Sequence, residues 1–505
     1  MVRKNDIVIV EIEDMSSEGQ GIGIVRDEST GDACGFVLFI KDTVIGDVAE
    51  VKVIKTKKSY GYARMVRLIT PSKDRVEARC PVARQCGGCQ LQEMNYAAQL
   101  IFKQNKVKNN LKRIGGLSEE NKDYEMLPII GMDAPYEPFH YRNKAQFPVG
   151  ADKNGNLRIG FYAGRTHDII ECEDCCIGAP VNAGILAIIR KWMLKNNIKP
   201  YDEANHSGLV RHILIRAGFA TGQICVCLII NANRLDNYSE LVENLSQIAG
   251  MASIMVNFNR ERGNVILGNR CETLWGTPYI EDCIGSVRYR ISPLSFYQVN
   301  PVQTRRMYDK VVEFAALTGS ESVWDLYCGI GTIALYIAGK AKQVYGVEIV
   351  PQAIEDAKQN ARLNNIENAE FFVGRAEEVV PRFYEEKRKE AGAGAGANTD
   401  VWEDVKEEAG LNAGVNEEAQ EDMLSPDVII VDPPRKGCDE TLLDTMLLMA
   451  PSRIVYVSCD SATLARDLKY LTDGGDYKVE KVQCYDNFCQ GVHVESIVLI
   501  QKKKT

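Results

Sequence analysis

The sequence predicts an α/β protein in three parts: a small N-terminal β-barrel, a central α+β region, and a C-terminal, doubly wound, Rossmann-like sheet. Glycine-punctuated short strands fill residues 1–70, and a mixed, cysteine-bearing stretch occupies residues 71–290. Continuous apolar strands alternate with helices over residues 291–505. Alternating strands and helices are typical of a parallel sheet with helices on both faces, and 505 residues suffice for several domains.

The first part contains short apolar runs at even spacing. The predicted strands are residues 8–12, 23–25, 36–40 and 48–54. Glycines between them supply turns, which favours a small barrel. Such barrels often hold oligonucleotides, but many bind other ligands, so this pattern alone does not assign a function.

The C-terminal part contains five apolar strands. They are residues 323–327, 343–347, 371–373, 428–431 and 454–457. An acidic stretch with an alternating Ala-Gly run, at about residues 385–425, separates the third strand from the fourth. Its composition predicts a disordered surface insertion without a catalytic role.

The net charge of −9 is unevenly distributed. Residues 55–115 carry fourteen Lys or Arg against three acids, whereas residues 376–427 carry fifteen acids against five basic residues. The basic region suits either a polyphosphate backbone or a solvated face. No secretory signal or long apolar span is apparent, so we expect a cytoplasmic protein whose sixteen cysteines are reduced, ligate metal or act in catalysis.

A cofactor turn follows the first C-terminal strand. Asp325-Leu-Tyr-Cys-Gly329-Ile-Gly331 ends that strand and opens a helix, and Glu348 closes the next strand. The absence of a third glycine argues against a dinucleotide. The Asp-x-x-x-Gly-x-Gly order followed by an acid instead favours S-adenosylmethionine, whose ribose hydroxyls a carboxylate can bind.

Three short motifs near the C-terminus fit one reaction. They are Asp432-Pro-Pro-Arg435, Ser458-Cys459-Asp460 and His493-Val-Glu495-Ser496. Methylation of uracil C5 requires a thiolate that adds to C6 and a base that later removes the C5 proton. Cys459 and Glu495 are the candidates for these roles, and Asp432 lies between cofactor and base.

Two rival functions are open on these residues alone. An amino-methyltransferase acting on adenine or cytosine would use Asp-Pro-Pro and would not need Cys459 or Glu495. A non-catalytic RNA-binding or redox-sensing protein would use the basic region and the cysteines, and would tolerate loss of Cys459.

Six cysteines form a second candidate site. Cys80, Cys86 and Cys89 are followed much later by Cys172, Cys175 and Cys176. Their spacing is compatible with an iron–sulfur cluster and with zinc, and thiols that only pack are the remaining alternative.

The motifs together resemble the RNA uracil-C5 methyltransferase family. The resemblance rests on Ser295-Phe296-Tyr-Gln298-Val-Asn-Pro301, the Asp325–Gly331 turn, Asp432–Arg435, residues 458–467 and residues 493–496. It implies a class I methyltransferase fold behind an N-terminal TRAM domain that binds RNA.

The resemblance also implies roles for individual residues. Gln298, Tyr327, Glu348 and Asp432 would contact S-adenosylmethionine, Cys459 would be the nucleophile and Glu495 the proton acceptor. Phe296 would lie near the substrate base. A [4Fe–4S] cluster would be held by Cys80, Cys86, Cys89 and Cys176, with Cys175 as the alternative fourth ligand and zinc as the alternative metal.

The implied partner is RNA, with 23S ribosomal RNA favoured over transfer RNA. Neither a membrane nor an obligate protein partner is expected.

Overall fold

The computed structural model describes residues 2–26, 33–390 and 426–503. They form a closed barrel, a seven-stranded sheet, a two-stranded hairpin and an eight-stranded sheet. From residue 391 onward, the predicted acidic insertion lies outside the described residues. No described helix has both the length and the apolar character needed to cross a membrane.

The N-terminal barrel has five strands that close in the order β1-β2-β3-β5-β4. The strands are β1 (Ile7–Met15), β2 (Gly21–Arg26), β3 (Ala33–Lys41), β4 (Val48–Thr56) and β5 (Tyr60–Thr70). Alternate side chains such as Val10, Ile12, Leu38 and Val51 fill the interior. Strand β5 was not predicted, because its inward residues are the small Gly61 and Ala63 rather than large apolar ones.

The central sheet follows the order β13-β12-β11-β10-β7-β8-β9. Its strands are β7 (Lys144–Ala151), β8 (Leu157–Tyr162), β9 (Ile169–Glu171), β10 (Val210–Ala217), β11 (Ile224–Ile230), β12 (Met251–Phe258) and β13 (Arg270–Gly276). Helices α2 (Val181–Lys195) and α3 (Ser239–Ser246) cover one face, where Phe147, Ile213 and Trp192 belong to a shared core. The hairpin β14 (Ile280–Ile284) and β15 (Val287–Ile291) follows in the chain.

The C-terminal sheet has the order β18-β17-β16-β19-β20-β22-β21-β6. Its strands are β16 (Ser322–Leu326), β17 (Gln343–Glu348), β18 (Ala369–Val373), β19 (Val428–Val431), β20 (Arg453–Ser458), β21 (Tyr477–Tyr485), β22 (Glu495–Lys502) and β6 (Glu125–Ile130). The first five are mutually parallel, and β22 runs antiparallel to both β20 and β21. This arrangement confirms the predicted doubly wound sheet.

Helices cover both faces of this sheet. One core contains residues of α4 (Pro301–Ala315), α5 (Thr332–Ala338) and α6 (Pro351–Leu363). The other contains residues of α1 (Tyr96–Asn110), α7 (Ala376–Glu390), α8 (Glu440–Met449) and α9 (Ser461–Asp473). Helix α1 and strand β6 come from the stretch that the sequence assigned to the central region. The chain therefore contributes to the C-terminal sheet first and forms the central sheet afterwards.

Candidate active site

The candidate site lies where the parallel strands of the C-terminal sheet end. Tyr327, Asp432 and Cys459 directly follow β16, β19 and β20, and Glu348 closes β17. Ser458 pairs with Ser496 across β20 and β22, so Cys459 and Glu495 are the next residues on adjacent strands. The sheet register therefore brings the predicted nucleophile and base together, as expected at the carboxyl edge of an open α/β sheet.

The turn after β16 has an unusual backbone. Tyr327, Gly329 and Gly331 have φ angles of 72°, 54° and 81°, in the left-handed region that glycine tolerates best. A Cβ at Gly331 would lie 3.2 Å from Ala357, whereas a Cβ at Gly329 would meet nothing within 4 Å. The turn thus packs tightly against α6 on one side and opens toward free space on the other.

Acidic side chains surround this open space. Glu348 accepts hydrogen bonds from the backbone N–H groups of Gly329 (3.3 Å) and Val350 (3.0 Å). Asp325 is fully buried and accepts from the Ala334 N–H at 2.9 Å, but its Oδ1 has no partner. Burial raises the pKa of Asp325, and the charges of Asp432 and Glu348 raise it further. This acidic surround fits the sulfonium, ammonium and ribose groups of S-adenosylmethionine.

A chain of hydrogen bonds links Asp432, at the end of β19, to Asn487 beside the predicted base. Gln298 Nε2 donates to Asp432 Oδ2 at 3.4 Å, and Asn487 Nδ2 donates to Gln298 Oε1 at 3.3 Å. Asn487 also lies against Glu495 and weakly favours its charged form. Oxygen atoms of Asn487 and Glu495 remain buried without partners. Such a site has unused acceptors for the donors of a bound ligand.

Glu495 and Asp432 resist ionisation. Burial and, to a smaller extent, the neighbouring Asp432 charge raise the pKa of Glu495 to about 8. Burial also raises the pKa of Asp432, to about 7, against the opposing hydrogen bond from Gln298. A carboxyl group with a pKa near neutrality can accept and release a proton during a catalytic cycle.

The Cys459 thiol is half-buried at the start of α9. Burial and the charges of Glu495 and Asp432, opposed by Arg435, raise its pKa to about 12. Asp460 caps α9 by accepting from the N–H groups of Ala462 (2.9 Å) and Thr463 (3.3 Å). The thiol is therefore protonated at neutral pH in the free protein, and its reactivity depends on the charges around it.

The loop before Glu495, residues 486–494, is held in place by side chains of helix α1. Lys103 of α1 forms a fully buried ion pair with Asp486 and donates to the Phe488 carbonyl at 3.0 Å. Gln99 of α1 donates to Gln490 Oε1, also at 3.0 Å. Helix α1 therefore fixes the loop that carries Asn487.

The N-terminal barrel contacts the same loop. Lys106 donates to the carbonyls of Ser17 (3.2 Å) and Val492 (3.0 Å), which joins the barrel's first turn to the loop. In the same turn, a Cβ at Gly19 would lie 2.8 Å from Val492 Cγ1. The barrel therefore packs directly against a part of the candidate site.

The six cysteines of the second candidate site converge. Gln92 accepts from the Cys80 N–H at 3.1 Å and donates to Cys176 Sγ at 3.6 Å. Cys89, Cys175 and Cys176 pack against a buried cluster that includes Cys489, and a cavity of about 510 Å³ is lined by Cys80, Cys172 and Cys176. Cys86 pairs with Ala163, at the edge of the same region. Within the described ranges, however, no three potential ligands are already positioned to hold a metal ion.

The structure thus gathers the predicted chemical residues at one edge: Gln298, Tyr327, Glu348, Asp432, Cys459 and Glu495. Phe296 lies at the surface on the same loop as Gln298, with 63% of its area exposed. Asn487 was missed by the sequence analysis. Its only signal was a polar residue in the loop before the His493-Val-Glu motif.

Matches to protein families cover much of the chain. Residues 417–503 match the tRNA (uracil-5-)-methyltransferase family, residues 317–396 match a methyltransferase domain, and residues 2–66 match the TRAM domain. The fold, the acidic turn and these matches define an S-adenosylmethionine-dependent methyltransferase that carries a TRAM barrel.

Full-length relatives are similar to the chain. An uncharacterized RNA methyltransferase of Halalkalibacterium halodurans is 45% identical over 99% of the chain and 98% of its own length. One of Clostridium tetani is 42% identical over 99% and 97%. The Pyrococcus abyssi tRNA (uracil-54, C5)-methyltransferase, solved with S-adenosyl-L-homocysteine, is 25% identical with a TM-score of 0.70 and covers 98% of this chain and 99% of its own. The chain belongs to the RNA uracil-5-methyltransferase family.

Proposed function

We propose that the protein transfers a methyl group from S-adenosylmethionine to C5 of a uridine in RNA through a covalent adduct between Cys459 and uracil C6. The pairing of Ser458 with Ser496 carries this proposal, because it makes Cys459 and Glu495 neighbours at the edge where Gln298 and Asp432 also lie. An amino-methyltransferase would not need that neighbouring pair.

Each residue has one task in the reaction. The Cys459 thiol loses its proton to solvent, its thiolate forms a bond to C6, and the electrons of the C5–C6 double bond move toward C5 and O4. When bound, S-adenosylmethionine would supply the methyl group to C5 and would leave as S-adenosylhomocysteine. Glu495 in its ionised form removes the C5 proton, the double bond forms again, and the C6–S bond breaks to return the thiolate.

The environment of Glu495 supports its role as the base. A carboxyl group in water ionises near pH 4.5 and is a weak acceptor for a carbon-bound proton, whereas burial raises the pKa of Glu495 to about 8. Its unpartnered Oε2 is available to a bound base. Gln298, Asn487 and Asp432 hold the space between the base and the cofactor turn.

We propose 23S ribosomal RNA as the substrate, with transfer RNA as the alternative. The family resemblance and the cysteine-rich stretch favour ribosomal RNA, whereas the P. abyssi relative is named for a transfer RNA. The barrel and the basic residues 55–115 would bind the RNA backbone. We place this activity in the cytoplasm and propose no obligate protein partner.

We further propose that Cys80, Cys86, Cys89 and Cys176 hold a [4Fe–4S] cluster. Gln92 joins Cys80 to Cys176, and four thiols are the donors such a cluster prefers. Protein purified without oxygen should contain iron and acid-labile sulfide, both of which a Cys176→Ala variant loses. Zinc without sulfide would support the alternative metal. Protein without any bound metal would indicate that the thiols serve only in packing.

The test of the reaction uses anaerobically purified protein, S-adenosylmethionine and unmodified 23S ribosomal or transfer RNA. Nucleosides of the digested RNA are identified by mass spectrometry for the wild type, Cys459→Ala and Cys484→Ala. Cys484 is buried on β21 and serves as the matched control. We expect 5-methyluridine from the wild type and Cys484→Ala only. Methylated adenosine or cytidine from Cys459→Ala would establish the amino-methyltransferase instead.

A further inference from the structure

Two cations are directly paired on adjacent strands of the central sheet. Lys144 on β7 is the direct cross-strand partner of Arg216 on β10. Like charges placed directly opposite in a sheet destabilise it. Arg142 lies two residues before Lys144, and its charge, like that of Arg216, acts on the Lys144 ammonium.

No carboxylate neutralises this group within the described ranges. Arg216 is 3% exposed and donates only to the carbonyls of Ser295 and Pro293, while its Nε has no partner. The side chains of Lys144 and Arg142 form no ion pair or hydrogen bond there. Burial and, to a smaller extent, the charges of Arg216 and Arg142 lower the pKa of Lys144 to about 8. Unpaired charges in partly buried positions are costly, so this arrangement requires an explanation.

Arg216, together with Asn143 between Arg142 and Lys144, contacts the loop that carries Gln298. Arg216 binds the carbonyl of Ser295, and Asn143 donates to the Gln298 carbonyl at 2.8 Å. The Asn143 N–H also donates to the Val299 carbonyl at 2.9 Å. The exposed Phe296 lies in the same loop. An anion held by Lys144 would therefore be close to a base that enters the candidate active site.

We propose that Arg142, Lys144 and Arg216 form a phosphate site for the RNA backbone next to the target uridine. This inference rests on the proposed function, which makes RNA the substrate. Lys144 and Arg142 are partly exposed and would contact the phosphate oxygens. The buried Arg216 would add positive charge without contacting the phosphate. The phosphate supplies a counter-charge to Lys144 and Arg216, and it holds the strand so that the base reaches the cleft.

The site predicts opposite effects on stability and binding. Replacing Lys144 by Met removes a like-charge contact, so the melting temperature of the RNA-free protein should rise. Affinity for RNA should fall about tenfold, as expected for the loss of a charged hydrogen bond. A lysine with only a structural role would instead lower the melting temperature when replaced.

The experiment measures binding of a fluorescein-labelled oligouridylate by anisotropy at several salt concentrations, together with thermal melting. The variants are Lys144→Met, Lys144→Gln and the control Lys199→Met, which removes an exposed lysine of the same region. For both Lys144 variants we expect weaker binding and a salt slope smaller by about 0.7, the value for one single-strand phosphate contact.

Each other outcome contradicts the inference in a distinguishable way. Unchanged affinity and slope in the Lys144 variants, with normal binding by the wild type, would overturn the phosphate site alone. Weaker binding together with a lower melting temperature would assign Lys144 a structural role. Failure of the wild type to bind the oligouridylate would count against the proposed RNA substrate as well.

Discussion

Ser458 and Ser496 are directly paired between the antiparallel strands β20 and β22. One step beyond this pair, Cys459 follows one strand and Glu495 begins the other, so the proposed nucleophile and base are held by adjacent strands of one sheet. Strands hold such pairs more rigidly than loops do, which suits a reaction in which both groups must reach neighbouring carbons of one ring.

The raised pKa of Glu495 predicts a pH-dependent effect on stability. The folded protein keeps this proton up to about pH 8, whereas the unfolded chain releases it near pH 4.5, so the wild type loses stability as pH rises between these values. Glu495→Gln cannot ionise and should therefore be more stable than the wild type at pH 8. The advantage should shrink by about 1.4 kcal/mol per pH unit toward acid, as an upper bound for this coupled group.

Thermal melting of both proteins from acid to mildly alkaline pH measures this difference. Glu11→Gln, at an exposed position of the barrel, is the control for a glutamate outside the site. A constant difference between Glu495→Gln and the wild type at every pH would contradict the buried, protonated carboxyl.

The charges around Cys459 predict the reactivity of its thiol. The charges of Glu495 and Asp432 add to the effect of burial on its pKa, and Arg435 opposes them. Glu495→Gln should therefore speed alkylation of Cys459 by iodoacetamide at about pH 9, where thiolate formation limits the rate. Arg435→Gln should slow it. Peptide mass spectrometry follows Cys459 separately from the other cysteines, and equal rates in all three proteins would show that these charges do not act on the thiol.

The buried ion pair of Lys103 and Asp486 predicts a large loss of stability when one partner is removed. Lys103→Met leaves a buried, unpaired carboxylate and should lower the free energy of unfolding by about 3–5 kcal/mol. Urea denaturation measures the change. Adding Asp486→Leu should restore much of the stability, and Lys195→Met, which breaks an exposed pair with Glu240, should have a far smaller effect. No recovery in the double variant would mean that the lysine contributes mainly by packing.

The contact between the barrel and the loop of residues 486–494 predicts the effect of a side chain at Gly19. Gly19 has a φ of 78°, and its Cβ would lie 2.8 Å from Val492 Cγ1. Gly19→Ala combines backbone strain of about 1–2 kcal/mol with a steric clash. Gly35→Ala, at a φ of 72° with nothing within 4 Å, isolates the backbone strain. Only Gly19→Ala should also slow methyl transfer. Equal methyl-transfer rates for the two variants would show that the contact between the barrel and the loop does not affect the reaction.

The parts of the fold that local patterns determine were predictable. Five apolar strands between helices specify the C-terminal sheet, and the motif residues follow those strands, which places them at one edge. Glycine spacing likewise revealed the barrel. Strand β5 was not predicted from the sequence, because small Gly61 and Ala63 face inward while tyrosines and basic residues face outward.

Features that depend on distant pairing were not predictable. Strand β6 pairs with β21, which lies more than three hundred residues later in the chain. The sequence of β6 alone does not indicate that partner. Asn487 acquires its role only when the loop before β22 packs against Gln298. The opposition of Lys144 and Arg216 likewise depends on the register of two strands.

The most direct measurement of the central claim is a search for the covalent RNA–protein adduct in Glu495→Gln. This variant keeps Cys459 but cannot remove the C5 proton, so we expect a denaturation-stable adduct to accumulate with RNA and S-adenosylmethionine. Mass spectrometry should locate methylated uridine on Cys459, and the Cys459→Ala/Glu495→Gln double variant should form no adduct. Undiminished release of 5-methyluridine by Glu495→Gln, with no adduct, would contradict the assignment of Glu495 as the base.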